Sequence, residues 1–284
     1  MRLLLISLFL LIPFLCIAQE AVRTFKDTRI INTQSTETLK KGYMDIRIGH
    51  RFGDIGGDNG GWSTFYGLEN ASDVLIGAEY GFTNNLMVGL FRTKGSGPLK
   101  QLVNLTGKYK LLSQNSESNT PISMALSFTG TVSTMKSSDT QGAINNFEQF
   151  AHRLSYNGQL LISSKFSDGF SLQVSPSYTH RNIVDIEDEN GLFALGAACR
   201  IQLSKVLGLI IDTTIPFSEL RTSDNDYHVP LGIGFEIDTG GHIFQVNFTN
   251  STGMMETDYI PYTRSNWSDG EFRLGFTISR LFNL

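Results

Sequence analysis

Cysteine is almost missing from this chain: Cys16 and Cys199 are the only two in 284 residues. Once a leader containing Cys16 is cut away, no intramolecular disulfide can form, so stability has to come from the fold itself. An excess of basic residues is also missing. The 23 Lys and Arg are outnumbered by 27 Asp and Glu, and the bases form no cluster, which argues against a nucleic-acid partner. Beyond the leader, no apolar run reaches the roughly 18 residues that a membrane helix needs. The five histidines, at positions 50, 152, 180, 228 and 242, show no zinc-protease spacing. His152 and Ser155 fall on opposite faces of an alternating strand, so they form no direct Ser-His pair. The glycine-rich stretch 54–61 lacks the lysine of a phosphate-binding loop. The acidic cluster Asp185–Asn190 lacks EF-hand spacing and reads as a solvated loop. No catalytic residue, metal or cofactor is expected, and the chain does not read as an enzyme.

What is present is alternation. In the closing stretch, Phe272, Leu274, Phe276, Ile278 and Phe282 share one face, and Arg273, Gly275, Thr277 and Ser279 share the other. A period of two belongs to a β-strand. One face suits hydrocarbon and the other suits water, as in a strand of an outer-membrane β-barrel. The opposite end points to export. Met1-Arg2 is a short positive start, Leu3 to Ile17 is apolar, and Cys16-Ile17-Ala18 offers a small-x-small cleavage site. Residues 1–18 are therefore expected to be a secretory signal peptide, with an apolar core too short to span a bilayer. Bulky Pro13-Phe14-Leu15 argues against lipidation at Cys16.

The same alternation predicts twelve strands, near 43–53, 72–82, 85–93, 100–111, 122–133, 149–165, 169–180, 192–203, 207–216, 229–238, 241–250 and 271–283. Each approaches the roughly 9–11 residues that cross a membrane as a tilted strand. Connections alternate in length. Thr83-Asn84-Asn85, Ser167-Asp168-Gly169, Ser204-Lys205-Val206 and Thr239-Gly240-Gly241 are tight, and 113–121 is the longer exception. The opposite set is long: 54–71, 94–99, 135–148, 181–191, 218–228 and 251–270. Short periplasmic turns, longer external loops and an even strand count define a transmembrane barrel. A secreted β-sandwich also alternates, but has no reason to segregate its loop lengths. The expected fold is thus all-β: an antiparallel transmembrane barrel of 12 strands over 43–284, preceded by a periplasmic segment at 19–42.

The lipid face is expected to carry residues such as Ile46, Ile48, Ile76, Leu105, Leu126, Phe193, Phe235 and Val246. The inward set is Arg47, Glu79, Lys108, Arg153, Gln173, Arg200, Asp212, Glu236, Gln245, Asn247 and Arg273. On closure the first and last strands meet, so Arg47 and Arg273 are expected side by side, with Glu79 and Glu236 as their nearest counter-charges. Paired charges filling a narrow barrel are favoured over a charged pore lining; twelve strands lie between filled eight-stranded barrels and open sixteen-stranded ones.

Several segments resemble one known family. Thr38-Leu-Lys-Lys-Gly42, Ile48-Gly-His-Arg-Phe-Gly-Asp-Ile-Gly-Gly57, Phe65-Tyr-Gly-Leu-Glu-Asn-Ala-Ser-Asp73 and His152-Arg-Leu-Ser-Tyr156 are similar to the Bacteroidota β-barrel family catalogued as domain of unknown function 5777. So are Phe244-Gln-Val-Asn-Phe-Thr-Asn-Ser-Thr-Gly253 and Gly270-Glu-Phe-Arg-Leu-Gly-Phe-Thr-Ile-Ser-Arg280. The resemblance spans nearly the whole chain after the leader and implies an outer-membrane barrel, but brings no activity or site residue with it. Two readings of function stand: a narrow channel for small solutes, or a non-conducting structural or partner-binding barrel that engages a periplasmic or surface protein through its loops. In either, outer-membrane lipid is the surrounding partner. A closed barrel has no free sheet edge. Folded protein kept unboiled in mild detergent should therefore migrate differently on a gel from boiled protein; a detergent-free soluble monomer would contradict the barrel.

Overall fold

Alternating side chains make each strand two-faced, and closing the sheet lets both faces be satisfied at once. In the computed structural model, which describes residues 22–115 and 117–284, twelve antiparallel strands form one closed barrel. They are β1 Tyr43–Phe52, β2 Ala71–Gly81, β3 Leu86–Thr93, β4 Leu102–Leu112, β5 Ser123–Ser133 and β6 Leu154–Ser167. The circuit continues with β7 Phe170–Arg181, β8 Gly191–Gln202, β9 Leu207–Phe217, β10 Leu231–Asp238, β11 His242–Thr249 and β12 Arg273–Asn283. Closure is made by β1 on β12, in register from Tyr43 opposite Asn283 to Arg51 opposite Gly275. Every strand expected from alternation is present. The largest shift is at β6, which starts at Leu154 because Phe150–Arg153 form a short 3-10 turn. The expected signal peptide lies outside the described residues.

The outer face is apolar and open to its surroundings, as at Ile48, Ile76, Leu105 and Phe193. This belt is what a bilayer covers. The inner face is polar and buried. Six of the inward apolar residues gather in three places, and each place is covered by a segment from outside the sheet. Ala198 and Ile210 meet Phe25, Ile30 and Ile31. Leu75 and Phe91 meet Met254 and Met255. Leu192 and Ala194 meet Tyr259 and Ile260.

Two inserts therefore fill the barrel. The first is the N-terminal segment. Its described part was expected in the periplasm, but it enters the lumen instead. Val22 N–H donates to the Gln114 carbonyl in the connection between β4 and β5, 2.9 Å. The chain climbs, reverses at Ile30–Thr33 (Ile30 N–H to Thr33 carbonyl, 2.9 Å) and returns to Gly42, which bonds Gly81. An isolated bridge between Arg29 and Gln34 makes it a short hairpin. The second insert is the long connection after β11. It was expected at the cell surface, yet it folds inward and forms the helix α1 Glu256–Tyr262, whose residues from Glu256 to Pro261 are buried. Apolar Met254, Met255, Tyr259 and Ile260 cannot stay in water at low cost, and the apolar patches on the wall give them a place. Wall glycines make room for both inserts. A Cβ on Gly49 would lie 2.5 Å from Met254 Cε, and one on Gly232 would lie 2.7 Å from Ile31 Cγ2.

Accessibility on intact cells should follow this arrangement. A membrane-impermeant maleimide should label Asp58→Cys in the exposed β1–β2 loop and spare Thr257→Cys on α1; labelling of both at similar rates would mean the second insert lies outside the barrel.

Candidate functional site

The lumen is where the charged side chains converge, and the hairpin supplies half of each partnership. Arg47 of β1 is 1% exposed. Its guanidinium grips the Asp27 carboxylate with both terminal nitrogens, Nη1 donating to Oδ2 at 2.8 Å. Nη2 also donates to Asp45 Oδ2 at 2.9 Å and to Thr28 Oγ1 at 3.1 Å. A bidentate arginine–carboxylate pair carries both strength and orientation. Thr28 is held by the wall on three sides: its hydroxyl donates to Glu79 at 2.7 Å, its carbonyl accepts from Lys108 Nζ at 2.7 Å, and its hydroxyl accepts from Arg47. Lys108 also donates to the Glu37 carbonyl at 3.0 Å. Gln245 donates to Asp27 and to the Arg29 carbonyl. On the opposite wall, Gln173 receives Thr36 N–H at 3.1 Å and donates to the Gln34 carbonyl at 2.7 Å.

At the hairpin tip, Asp212 of β9 accepts Asn32 N–H at 2.5 Å, Asn32 Nδ2 at 2.6 Å and Thr33 N–H at 3.1 Å. Arg51 reaches the same Asn32, donating to Oδ1 at 2.6 Å, and bonds the Ser251 carbonyl of the second insert at 3.2 Å. The two inserts also touch directly. Arg29 Nη2 donates to Glu256 Oε1 at 2.9 Å and to the Met254 carbonyl at 3.1 Å. Thr129 of the wall donates to the other Glu256 oxygen at 3.1 Å. Asp258 then ties α1 to the β3–β4 loop, accepting Ser96 N–H at 2.8 Å and Gly97 N–H at 2.7 Å.

Of the residues singled out by alternation, Arg47, Glu79, Lys108, Asp212, Gln173 and Gln245 meet at the hairpin. Asn247 is buried on the inner face of β11. Arg200 and Glu236 pair with each other at 2.7 Å near the end that carries the short turns. Two expectations need correction. Arg47 and Arg273 are not side by side: Arg47 faces Ser279, six residues along β12, or roughly 20 Å of strand. Arg273 sits at the end that carries the long loops, bonding Asp54, the Ser265 hydroxyl and the Asn250 carbonyl. The sign conflict is avoided by register, which alternation alone does not supply. Arg153 is not among these lumen groups either. It belongs to the turn before β6, where it donates to the Ser133 and Met135 carbonyls and lies 4.0 Å from the Phe147 ring centroid.

Other residues were missed. Asp45, Arg51 and Asp73 are in phase with Arg47 and Glu79, so the same alternation would have found them. Asp27, Arg29, Glu37, Glu256 and Asp258 lie in connections, where no period marks a buried side chain. The inward apolar residues Leu75, Phe91, Leu192 and Ile210 were the readable sign that something covers the wall.

A clasp forms among the long loops at one end of the barrel. Asp188 was expected in a solvated loop, but its side chain is 6% exposed, between Arg181 at 2.8 Å and Arg221 at 2.7 Å. Burial pushes the Asp188 carboxyl up, but hydrogen bonds and charge from Arg221 and Arg181 outweigh it and hold the group below its ordinary 3.8. Arg181 also bonds the Tyr262 hydroxyl of α1 at 3.1 Å, so the clasp bears on the second insert.

A closed twelve-stranded sheet with an apolar belt and a polar, filled lumen is an outer-membrane β-barrel. The chain belongs to the family described as membrane bound beta barrel domain (DUF5777), whose model matches residues 25–282. Among solved structures, it is similar to an outer membrane channel from Pseudomonas putida F1, at 13% identity over 87% of this chain and 98% of that one, with a TM-score of 0.51. It is also similar to the KdgM porin, at 9% identity over 84% of this chain and 99% of that one, with a TM-score of 0.50. The KdgM porin has been solved in complex with disordered oligogalacturonate as well. At these identities the likeness is one of fold. No curated protein matches the chain.

Because the folded Asp188 carboxyl titrates below its unfolded value, its contribution is fully present above the unfolded value and is lost as pH falls through the folded one. Protease sensitivity of the 182–190 loop should stay low from neutral pH down to the carboxylate range and rise at pH values below 3.8. Asp188→Asn should be sensitive already at neutral pH, with little further change on acidification.

Proposed function

We propose that this protein is a narrow outer-membrane channel for small solutes, held shut by its own N-terminal hairpin. The observation that carries the reading is how the lumen is filled. In small barrels the inward side chains fill the interior by themselves. Here the wall leaves room for a two-legged hairpin and a helix, both tethered at the barrel ends and seated mostly by polar contacts. Withdrawing the hairpin would open a polar passage, because the groups that held it belong to the wall. Beside the hairpin, the clefts at the periplasmic end measure about 40 and 70 Å³, enough for a few waters only. Their small size supports a closed resting barrel.

One observation favours the second reading, a barrel that never conducts. Arg29 and Glu256 join the two inserts into a single filling, and both are buried. Breaking one partner of a buried ion pair costs about 3–5 kcal/mol. That figure describes a plug that does not leave unaided, and it makes the two readings separable.

Reconstituted wild-type protein should show conductance close to that of the bare bilayer. Asp27→Asn, which removes the hairpin carboxylate from Arg47 and leaves it only Asp45 of its own strand, should raise ion conductance at least tenfold while the gel-shift of the folded barrel persists; this factor corresponds to about 1.4 kcal/mol in the closed-to-open balance. A folded Asp27→Asn barrel that remains silent, alone and combined with Arg29→Gln, would leave the non-conducting role.

A further inference from the structure

The lumen wall has two unlike sides. The charges described above lie on β1, β2, β4, β8 to β10 and β12. The inner faces of β5, β6 and β7 carry none between Lys165 at one end and Arg181 at the other. Apart from Ala125 and Leu161, which face each other, their inward side chains between those ends are hydroxyls and amides. Ser127, Gln159 and Ser177 face one another across the three strands, and the next row is Thr129, Asn157 and Thr179. All six are buried.

The inserts touch this side near its ends. Below, Thr36 bonds Ser163 at 2.6 Å and Gln173 receives the hairpin backbone. Above, Thr257 bonds Thr131 at 2.7 Å and Glu256 accepts from Thr129. Between these anchors several buried polar atoms have no partner among the described residues: Gln159 Oε1 and Ser175 Oγ on the wall, and both amide atoms of Gln34 on the hairpin. Ser175 is two residues along β7 from Gln173, which holds the Gln34 carbonyl, and lies diagonally beyond Ser177 from Gln159. Buried polar groups left unpaired are costly, so a row of them marks a place made for guest hydroxyls or water.

We propose that this neutral side is the solute path, and that it takes small uncharged polyhydroxylated solutes of the sugar type. The inference rests on the gated-channel reading above and adds its substrate class. Hydroxyl and amide side chains both donate and accept, matching a polyol from every direction. An ion moving along these rows finds no counter-charge on the wall strands and loses hydration, and an anion is further repelled by Glu256, the carboxylate held against them. The charged side also keeps unpaired atoms, such as Glu79 Oε1 and Arg200 Nη2, but there the solute would meet full charges, such as Arg200 with Glu236, rather than neutral hydroxyls and amides.

The test uses the full-length Asp27→Asn protein in liposomes, with osmotic swelling driven by arabinose or by its carboxylate analogue arabinonate. Arabinose should enter at least about tenfold faster, the factor that an uncompensated cost of about 1.4 kcal/mol gives. Gln159→Glu is nearly isosteric and should lower the arabinose rate by a similar factor in barrels that keep their gel-shift; Ser175→Asp should act in the same direction. Equal rates for the two solutes, faster arabinonate, or indifference to both substitutions would overturn the neutral path while leaving the channel intact. A loosened barrel that passes neither solute nor ion current would overturn the path together with the channel reading. To show that the hairpin gates the path, Thr36→Cys with Ser163→Cys, in a Cys199→Ser background, should abolish swelling when oxidised and restore it on reduction.

Discussion

A barrel closed at twelve strands satisfies every backbone group within the membrane, but it encloses more space than its own inward side chains fill. The remaining structure depends on how that space is filled. Buried arginines and carboxylates on the wall need partners, because a lone charge in a water-poor interior is unaffordable. Asp27 from the hairpin answers Arg47, Asn32 answers Asp212 and Arg51, and Glu256 answers Arg29. The apolar patches on the wall follow the same logic: Ile31, Met254 and Tyr259 cover them, and wall glycines give these side chains their depth.

This filling explains why one lumen can look structural and functional at once. Ion pairs concentrate on one side, where they hold the hairpin. The other side is left with hydroxyls and amides that the hairpin meets only in part. The hairpin is bound mainly through discrete polar contacts, with Phe25, Ile30 and Ile31 as its apolar cluster against the wall, and this distinguishes it from a core. Its contact with α1 through Arg29 and Glu256 joins the two inserts, and the Arg181–Asp188–Arg221 clasp ties the long loops to α1 through Tyr262.

Alternation settled the strands, their number and their faces, because side-chain direction in a strand depends only on the parity of position. Ile48, Ile76 and Phe235 lie outward and Arg47, Glu79 and Glu236 lie inward for that local reason. Loop lengths then oriented the barrel. Pairing within the lumen could not be read this way. Arg47 and Arg273 share a face of neighbouring strands, yet register separates them by most of a strand. Arg153 precedes a strand that begins later than its pattern suggested, since a 3-10 turn absorbs the four residues before it.

By itself, therefore, the sequence determined the architecture: a period of two, repeated twelve times between turns of alternating length, admits only a closed two-faced sheet in a membrane. The tertiary structure alone decided what the lumen holds. Residues 22–42 and 251–263 have no period and no length that marks them as internal. They are ordinary polar connections until the barrel gives Asp27 an arginine, Asn32 a carboxylate and Met254 an apolar wall. These are long-range contacts, set by strand register and stagger around the barrel, and no local pattern of residues encodes them.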